Sequence, residues 1–233
     1  MPTIVPLTPE SEWLSRLCDL PPWEPPLVST LIVAPHPDDE TLGAGGMIAR
    51  LRLQDIPVTV AAVSDGEKAY PGAHGLGELR EREQNEALAR LGVERQSVHR
   101  LKLPDKELSD WEGSLERSLS MFVSPGMHIV APWPRDFHPD HEACGRAAER
   151  VASKFGLELT FYLFWTWHRG VPQMLEGLPT VSLRLSEGER RTKLFALEAH
   201  QSQFYQPDGA PILSPELLRP AEREFEVYLH SCP

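Results

Sequence analysis

The chain has 233 residues, 41% of them apolar and 24% charged, a length and composition that fit one globular domain with a sizeable core. Its 34 acidic side chains outnumber its 23 basic ones for a formal net charge of -11, which makes nucleic acid and anionic membrane surfaces poor partners. No apolar run approaches the roughly 20 residues that span a bilayer, and residues 1–10 lack the basic start and apolar stretch of a signal peptide, so the expected location is cytoplasmic. Cys18, Cys144 and Cys232 are too few and too scattered for a disulfide framework or a structural zinc knuckle. A metal site would need other ligands.

Residues 1–27 are rich in proline and read as an extended lead-in, after a short helix near Glu10–Leu17. The core is expected to begin at Val28–Ala34, a β-branched apolar run that suits a buried strand. A helix over Thr41–Leu53, a strand at Val58–Val63, a helix over Glu78–Leu91 closed by Gly92, and a weaker strand near Val98–Leu101 follow. Next come a helix over Ser109–Phe122, a short strand at His128–Ala131 and a helix over Glu142–Phe155. Leu157–Trp165 and Thr180–Leu185 read as late strands, Glu187–Ala199 as an amphipathic helix, and residues 206–233 as a C-terminal arm beginning with a proline-bearing loop. Alternation at this spacing implies βαβ crossovers. The expected fold is therefore α/β, a Rossmann-like three-layer αβα sandwich around a mostly parallel sheet, in one domain spanning 1–233.

Ligands of open α/β sheets bind beyond the carboxyl ends of the strands, so residues between a strand and its following helix matter most. Two such segments are dense in potential metal ligands: Ala34-Pro35-His36-Pro37-Asp38-Asp39-Glu40 and Arg135-Asp136-Phe137-His138-Pro139-Asp140-His141. Both contain His-Pro-Asp, and they meet if their strands are neighbours. A catalytic zinc takes three His or carboxylate ligands and keeps a fourth position for water, a count that two His and one Asp satisfy. Residues three apart in a turn point to one side, so one of the adjacent Asp38 and Asp39 can ligate while the other accepts a proton from the metal-bound water. A remaining imidazole, His138 or His141, would hydrogen-bond the oxyanion formed at a carbonyl. The competing reading is that these residues merely fill turns and cap the helices that follow.

With Thr-Leu-Gly-Ala-Gly-Gly following Glu40, and with His138-Pro139-Asp140-His141, the chain resembles the PIG-L/LmbE family of zinc-dependent N-acetylglucosaminyl deacetylases. Weaker matching features are Ser64-Asp65-Gly66-Glu67, the Arg80 to Gly92 stretch and His200-Gln201-Ser202-Gln203, so the likeness covers roughly residues 28–205. The resemblance implies His36, Asp39 and His141 as zinc ligands, Asp38 as general base, and His138 as the imidazole that polarises the carbonyl or protonates the leaving amine. Asp140 is read as orienting a catalytic imidazole and Glu40 as positioning the loop, with helix caps as the alternative for both. Where some members that act on sugar-thiol conjugates carry a Tyr, this chain has Asp136, so a tyrosine contact to the oxyanion is not expected.

Arg80, Trp133, Arg135 and Trp167 are candidates to contact substrate, as are Trp165, His168 and Arg169, because aromatic faces suit sugar rings and Arg suits polar or anionic substituents. Core packing of the tryptophans and a solvated helix face for Arg80 are the alternatives. Gly43-Ala44-Gly45-Gly46 lacks the full dinucleotide spacing and reads as close helix packing. The expected activity is hydrolytic removal of an N-acetyl group from an N-acetylglucosamine-type sugar conjugate or related amide, with Zn2+ or another divalent ion. A homo-oligomer is compatible with the sequence. Competing readings are a non-haem iron oxygenase with a two-His-one-carboxylate site and a non-catalytic metal-centred sugar-binding protein.

Overall fold

The computed structural model describes residues 5–70, 72–205 and 211–231. Seven strands form one sheet: β1 (Thr30–Ala34), β2 (Val58–Ala62), β3 (Val98–Arg100), β4 (His128–Pro132), β5 (Glu158–Tyr162), β6 (Thr180–Arg184) and β7 (Phe225–His230). Their spatial order is β3-β2-β1-β4-β5-β7-β6. The first five are parallel, and β7 runs antiparallel between β5 and β6. Every residue of β1 and β4 is buried, as expected for central parallel strands covered on both faces.

The helices are α1 (Glu10–Leu17), α2 (Asp39–Leu53), α3 (Leu76–Arg90), α4 (Glu112–Ser120), α5 (Pro139–Phe155), α6 (Trp165–Arg169), α7 (Glu187–Leu197), α8 (Gln201–Phe204) and α9 (Pro215–Leu218). The pleat of β1 divides its side chains between two layers. Leu31 and Val33 pack with α4 and α5 residues such as Leu115, Leu119, Ala147 and Val151, while Ile32 and Ala34 pack with Met47, Ile48, Leu88 and Ala196 of α2, α3 and α7. The three-layer α/β sandwich is thus the observed fold. Glycines bring α2 against the sheet, as expected: a Cβ on Gly43 would lie 2.2 Å from the Tyr162 ring. Among the described residues no helix is long and apolar enough to cross a membrane.

Three expectations need correction. The proline-rich lead-in is not outside the core, since Trp13 and Leu17 of α1 are buried in it. Its Pro21–Trp23 stretch also hydrogen-bonds the edge strand β6, Trp23 N–H to Ser182 O at 2.8 Å and Ser182 N–H to Pro21 O at 3.0 Å, covering an edge that would otherwise expose unpaired backbone. The expected strand 157–165 stops at Tyr162, and Trp165 opens α6. The expected arm returns to the sheet as β7, whose buried Glu226 accepts hydrogen bonds from Gly46 N–H, Met47 N–H, Lys193 Nζ and the Tyr228 hydroxyl. Residues 206–210 and 232–233 of that segment lie outside the described residues.

The direction of the chain reverses between β1 and β4: β2 and β3 are added on one side of β1, and β4 and β5 on the other. A crevice opens at such a switch point beyond the carboxyl ends of the two strands. Thr30, Leu31 and Ile32 stand in register with His128, Ile129 and Val130, so the two His-Pro-Asp loops leave the sheet side by side.

Candidate metal centre

His36 and Asp39 come from the turn between β1 and α2, and His141 from the first turn of α5. His36 Nδ1 lies 2.9 Å from Asp39 Oδ2, and His141 Nε2 lies 3.1 Å from the same oxygen. One donor atom from each of the three falls within 4.8 Å of the others. Asp38, between the two ligand candidates of the first loop, adopts φ 125 and ψ -29, a conformation L-residues rarely take and one typical of functional sites. It turns the two adjacent carboxylates apart.

A cation fits this donor set. Among the described residues the buried His141 Nε2 has no hydrogen-bond partner, because its 3.1 Å approach to Asp39 is not aligned for one, while its Nδ1 lies 2.9 Å from Asp136 Oδ2. The orphaned nitrogen is a lone pair held toward Asp39 and His36, and the carboxylate behind the ring fixes the tautomer. Burial alone would lower the His36 imidazole, yet hydrogen bonds to Asp105, Asp140 and Asp39 outweigh it and hold it well above its ordinary value. For His141, burial is outweighed by the nearby charge of Asp39 and the hydrogen bond to Asp136, which raise it to about 9. Asp39 is held below the usual carboxylate range, the charges of His141 and His36 and the His36 hydrogen bond exceeding the cost of burial. A cluster that pulls protons onto two imidazoles in this way has the surplus negative charge a divalent cation would neutralise.

The other predicted residues divide into those brought to the site and those kept from it. Asp38, His138 and Arg80 line, with His36 and Asp39, a cavity of about 270 Å³. Burial, reinforced by Asp39 and Glu40 and opposed by Arg80, pushes the Asp38 carboxyl up to about 8. Arg80 is buried rather than solvated, donating to Pro37 O at 2.8 Å and Gly66 O at 3.1 Å and lying 3.3 Å from Asp38 Oδ2. Burial and the neighbouring His36 and His141 lower His138 to about 3. Its Nδ1 accepts from Asp140 N–H at 3.3 Å, which leaves the proton of the neutral ring on Nε2.

Asp140 is 3.1 Å from His36 Nε2 and accepts from the Lys106 and Leu108 amides, so it holds the back of His36. Glu40 is buried and accepts from Gln84 Nε2 at 3.0 Å and Thr41 Oγ1 at 3.1 Å, tying the loop to α3. Trp133, Trp167 and Arg135 do not reach the cavity. Trp133 and Trp167 belong to the core, Trp167 meeting Trp13 edge-on at 5.0 Å, and Arg135 is exposed on the outside. His168, also considered for the rim, is buried beside Phe164 at a ring distance of 5.0 Å and is absent from the cavity wall. Trp165 and Arg169 do line it, with Tyr70, Phe164, Ile212 and Leu213.

Asp105 and the orienting role of Asp136 were not anticipated. Asp105 Oδ1 is 3.3 Å from His36 Nε2; it follows β3, so the carboxyl-end rule applied to that weak strand would have found it. Asp136 accepts from the Phe164, Trp165 and Thr166 amides, the Thr166 hydroxyl and the His141 ring. Only its placement two residues before His138 hinted at this.

Known proteins share this arrangement of chain. A probable N-acetyl-alpha-D-glucosaminyl L-malate deacetylase 2 of Bacillus cereus is 30% identical over 184 residues, covering 74% of this chain and 82% of the relative. Diacetylchitobiose deacetylase of Thermococcus kodakarensis is 29% identical over 136 residues, 54% of this chain and 50% of that protein. The crystal structure of a conserved protein from Thermus thermophilus superposes with a TM-score of 0.60 at 27% identity, covering 76% of this chain and 80% of that one. Residues 31–152, which run from β1 into α5 and so carry both loops of the histidine and aspartate cluster, match the family profile described as GlcNAc-PI de-N-acetylase, and the chain belongs to that family, PIG-L.

Proposed function

We propose that this member hydrolyses the N-acetyl group of an N-acetylglucosamine-type sugar conjugate, releasing acetate and the free amine. The reading is carried by one observation: Asp38 and His138 line the same cavity as the His36 and Asp39 donors. His36, Asp39 and His141 would hold the cation, and zinc suits two imidazoles and one carboxylate. When bound, such an ion polarises a carbonyl and lowers the pKa of a coordinated water.

The chain's own groups supply the rest. The ionised Asp38 takes a proton from water as it attacks the amide carbon and returns that proton to the departing nitrogen, so protons balance. His138 stays neutral at ordinary pH, since its pKa is drawn down to about 3. It therefore serves as a hydrogen-bond donor to the carbonyl oxygen through Nε2, and Asp38 is left as the group that protonates the amine. Arg80 steadies Asp38 from behind. The relatives are deacetylases, and no contact in the cavity favours the oxygenase or the binding-protein reading.

The test is acetate release from a panel of N-acetylglucosamine conjugates by zinc-loaded protein. Asp38→Ala is expected to retain zinc and lose about 10²- to 10⁴-fold in turnover, while His36→Ala loses zinc. Equal metal loss in the two variants would make Asp38 a ligand and remove it as the base.

A further inference from the structure

The helix α6 has only five residues, Trp165–Arg169, too few to hold a helix together in water unaided. Its start is fixed by Asp136, which accepts from the Phe164, Trp165 and Thr166 amides. The carbonyls at its other end, which a helix leaves without internal partners, are met by residues 154 to 162 positions away in sequence. Trp13 Nε1–H donates to Trp167 O at 3.1 Å, the Leu7 N–H to His168 O at 2.8 Å and the Thr8 hydroxyl to Gly170 O at 2.9 Å. All three donors belong to residues 7–13. Thr8 and Trp13 are buried, and Glu10 between them accepts from Arg223 Nε and Nη2 at 2.7 Å, so the segment is itself anchored to the chain just before β7.

What α6 carries gives this clamp a purpose. Trp165 lies on His138 with ring centroids 5.6 Å apart and 19° between planes. The one ring hydrogen bond that His138 makes among the described residues is the 3.3 Å contact from the Asp140 amide, so packing fixes the tilt of the ring. His36 and His141 meet it at 79° and 54°; the indole is the ring that lies nearly flat against it. A donor to a developing oxyanion works only when it is held in place beforehand, and a misplacement of 1 Å costs about 10²-fold. Asp136 sets where α6 begins, and the three donors from residues 7–13 set the line it takes.

We propose that residues 7–13 are a positioning element of the catalytic cavity: by capping the end of α6 they hold Trp165 flat on His138 and so fix the imidazole that donates to the substrate carbonyl. The proposal rests on the role given to His138 above. It assigns a catalytic purpose to a segment that lies wholly before residue 31, where the family profile begins. Thr8 and Trp13 do not line the cavity; they act through α6 without touching substrate.

The test compares four zinc-loaded variants with the wild type. Thr8→Val keeps the shape and removes the hydroxyl, Thr8→Ser keeps the hydroxyl, Thr8→Val/Trp13→Phe removes two of the three donors, and Glu12→Ala, at an exposed position of α1, is the control. Acetate release is followed with the best conjugate of the panel above. In parallel, the imidazole C–H resonances of His138, which a stacked indole shifts upfield, are followed in 13C-histidine-labelled protein and assigned by their absence from His138→Asn. The double variant is expected to lose about 10-fold in kcat with KM and zinc content little changed, and its His138 signals move downfield. Thr8→Val follows the same trend at smaller size and carries the test alone should the double variant not fold; Thr8→Ser and Glu12→Ala match the wild type. His138 signals that stay in place overturn the proposal, whether or not kcat falls, and leave the deacetylase reading untouched. Displaced signals with wild-type kcat overturn the catalytic purpose. Displaced signals in a protein that releases acetate from no conjugate keep the hold on His138 and remove the deacetylase reading instead.

Discussion

Every group that reaches the Asp136 carboxylate is a donor: three backbone amides, one hydroxyl, and the Nδ1–H that His141 must carry if its Nε2 is to ligate. The residue is fully buried, so water cannot repair a mismatch. Asp136→Asn would set an NH2 group against one of these donors, either leaving the His141 ring unsupported or loosening the turn that delivers Trp165. Loss of such an orienting carboxylate typically costs 10- to 100-fold in metal affinity. That loss is expected here, read by competition with a chromophoric chelator. Thr166→Val removes the 2.7 Å hydroxyl bond but keeps the His141 contact, and should change zinc affinity little. Wild-type zinc affinity in Asp136→Asn would end the orienting role.

At the scale of elements, the second loop depends on how closely α5 approaches the end of β4. A Cβ on Gly145 would lie 2.6 Å from Pro132 O and 2.7 Å from Pro134 N, and backbone atoms cannot swing aside. Gly145→Ala therefore pushes α5, with His138 and His141 at its start, away from β4. Overpacking of this kind costs about 1–3 kcal/mol, more than the gain in helix propensity of up to about 1 kcal/mol. The metal-free protein should melt a few degrees lower, whereas Gly113→Ala, with its nearest neighbour at 3.6 Å, should not. An unchanged melt for Gly145→Ala would mean that α5 has slack.

The same scale explains what the sequence disclosed. Helical and strand periods differ clearly through α5, and both His-Pro-Asp loops sit where a parallel sheet must place them, so the fold and the meeting of the two loops were legible. β7 was not, because Glu226 reads as a surface residue until its partners from α2 and α7 are known. Of the two late tryptophans expected near the rim, only Trp165 lines the cavity, with Arg169 four residues on along the same face of α6, while Trp167 turns into the core.

For the whole molecule, pH sets two opposed tendencies. Acidification relieves the self-repulsion of a chain with net charge -11, which alone would stabilise the fold. Against this stand imidazoles buried in the neutral form. Burial, with His230 nearby, lowers His128 to about 4; burial, with Arg223 and Arg169, lowers His168 to about 3; burial, with Arg80, lowers His200 to about 3. An unfolded chain takes up these protons near pH 6.5 and the folded one does not, so the stability they leave intact above pH 6.5 is lost as pH falls toward 4. In metal-free protein His36 and His141 act oppositely: raised in the fold, His141 to about 9, they stabilise below pH 6.5 and lose that contribution as pH rises through 9. His168 isolates the acid limb, because it stands outside the His36–Asp39–His141 cluster and, among the described residues, neither ring nitrogen has a hydrogen-bond partner. At about 1.4 kcal/mol per pH unit, it accounts for about 2 kcal/mol between pH 6.5 and 5. His168→Phe keeps an aromatic ring against Phe164 and removes the titration. Urea unfolding of the metal-free protein should then show a loss of stability between pH 7 and 5 that is about 2 kcal/mol smaller than in the wild type. An identical slope would mean that this imidazole is protonated in the fold, and that the acid limb belongs to other groups.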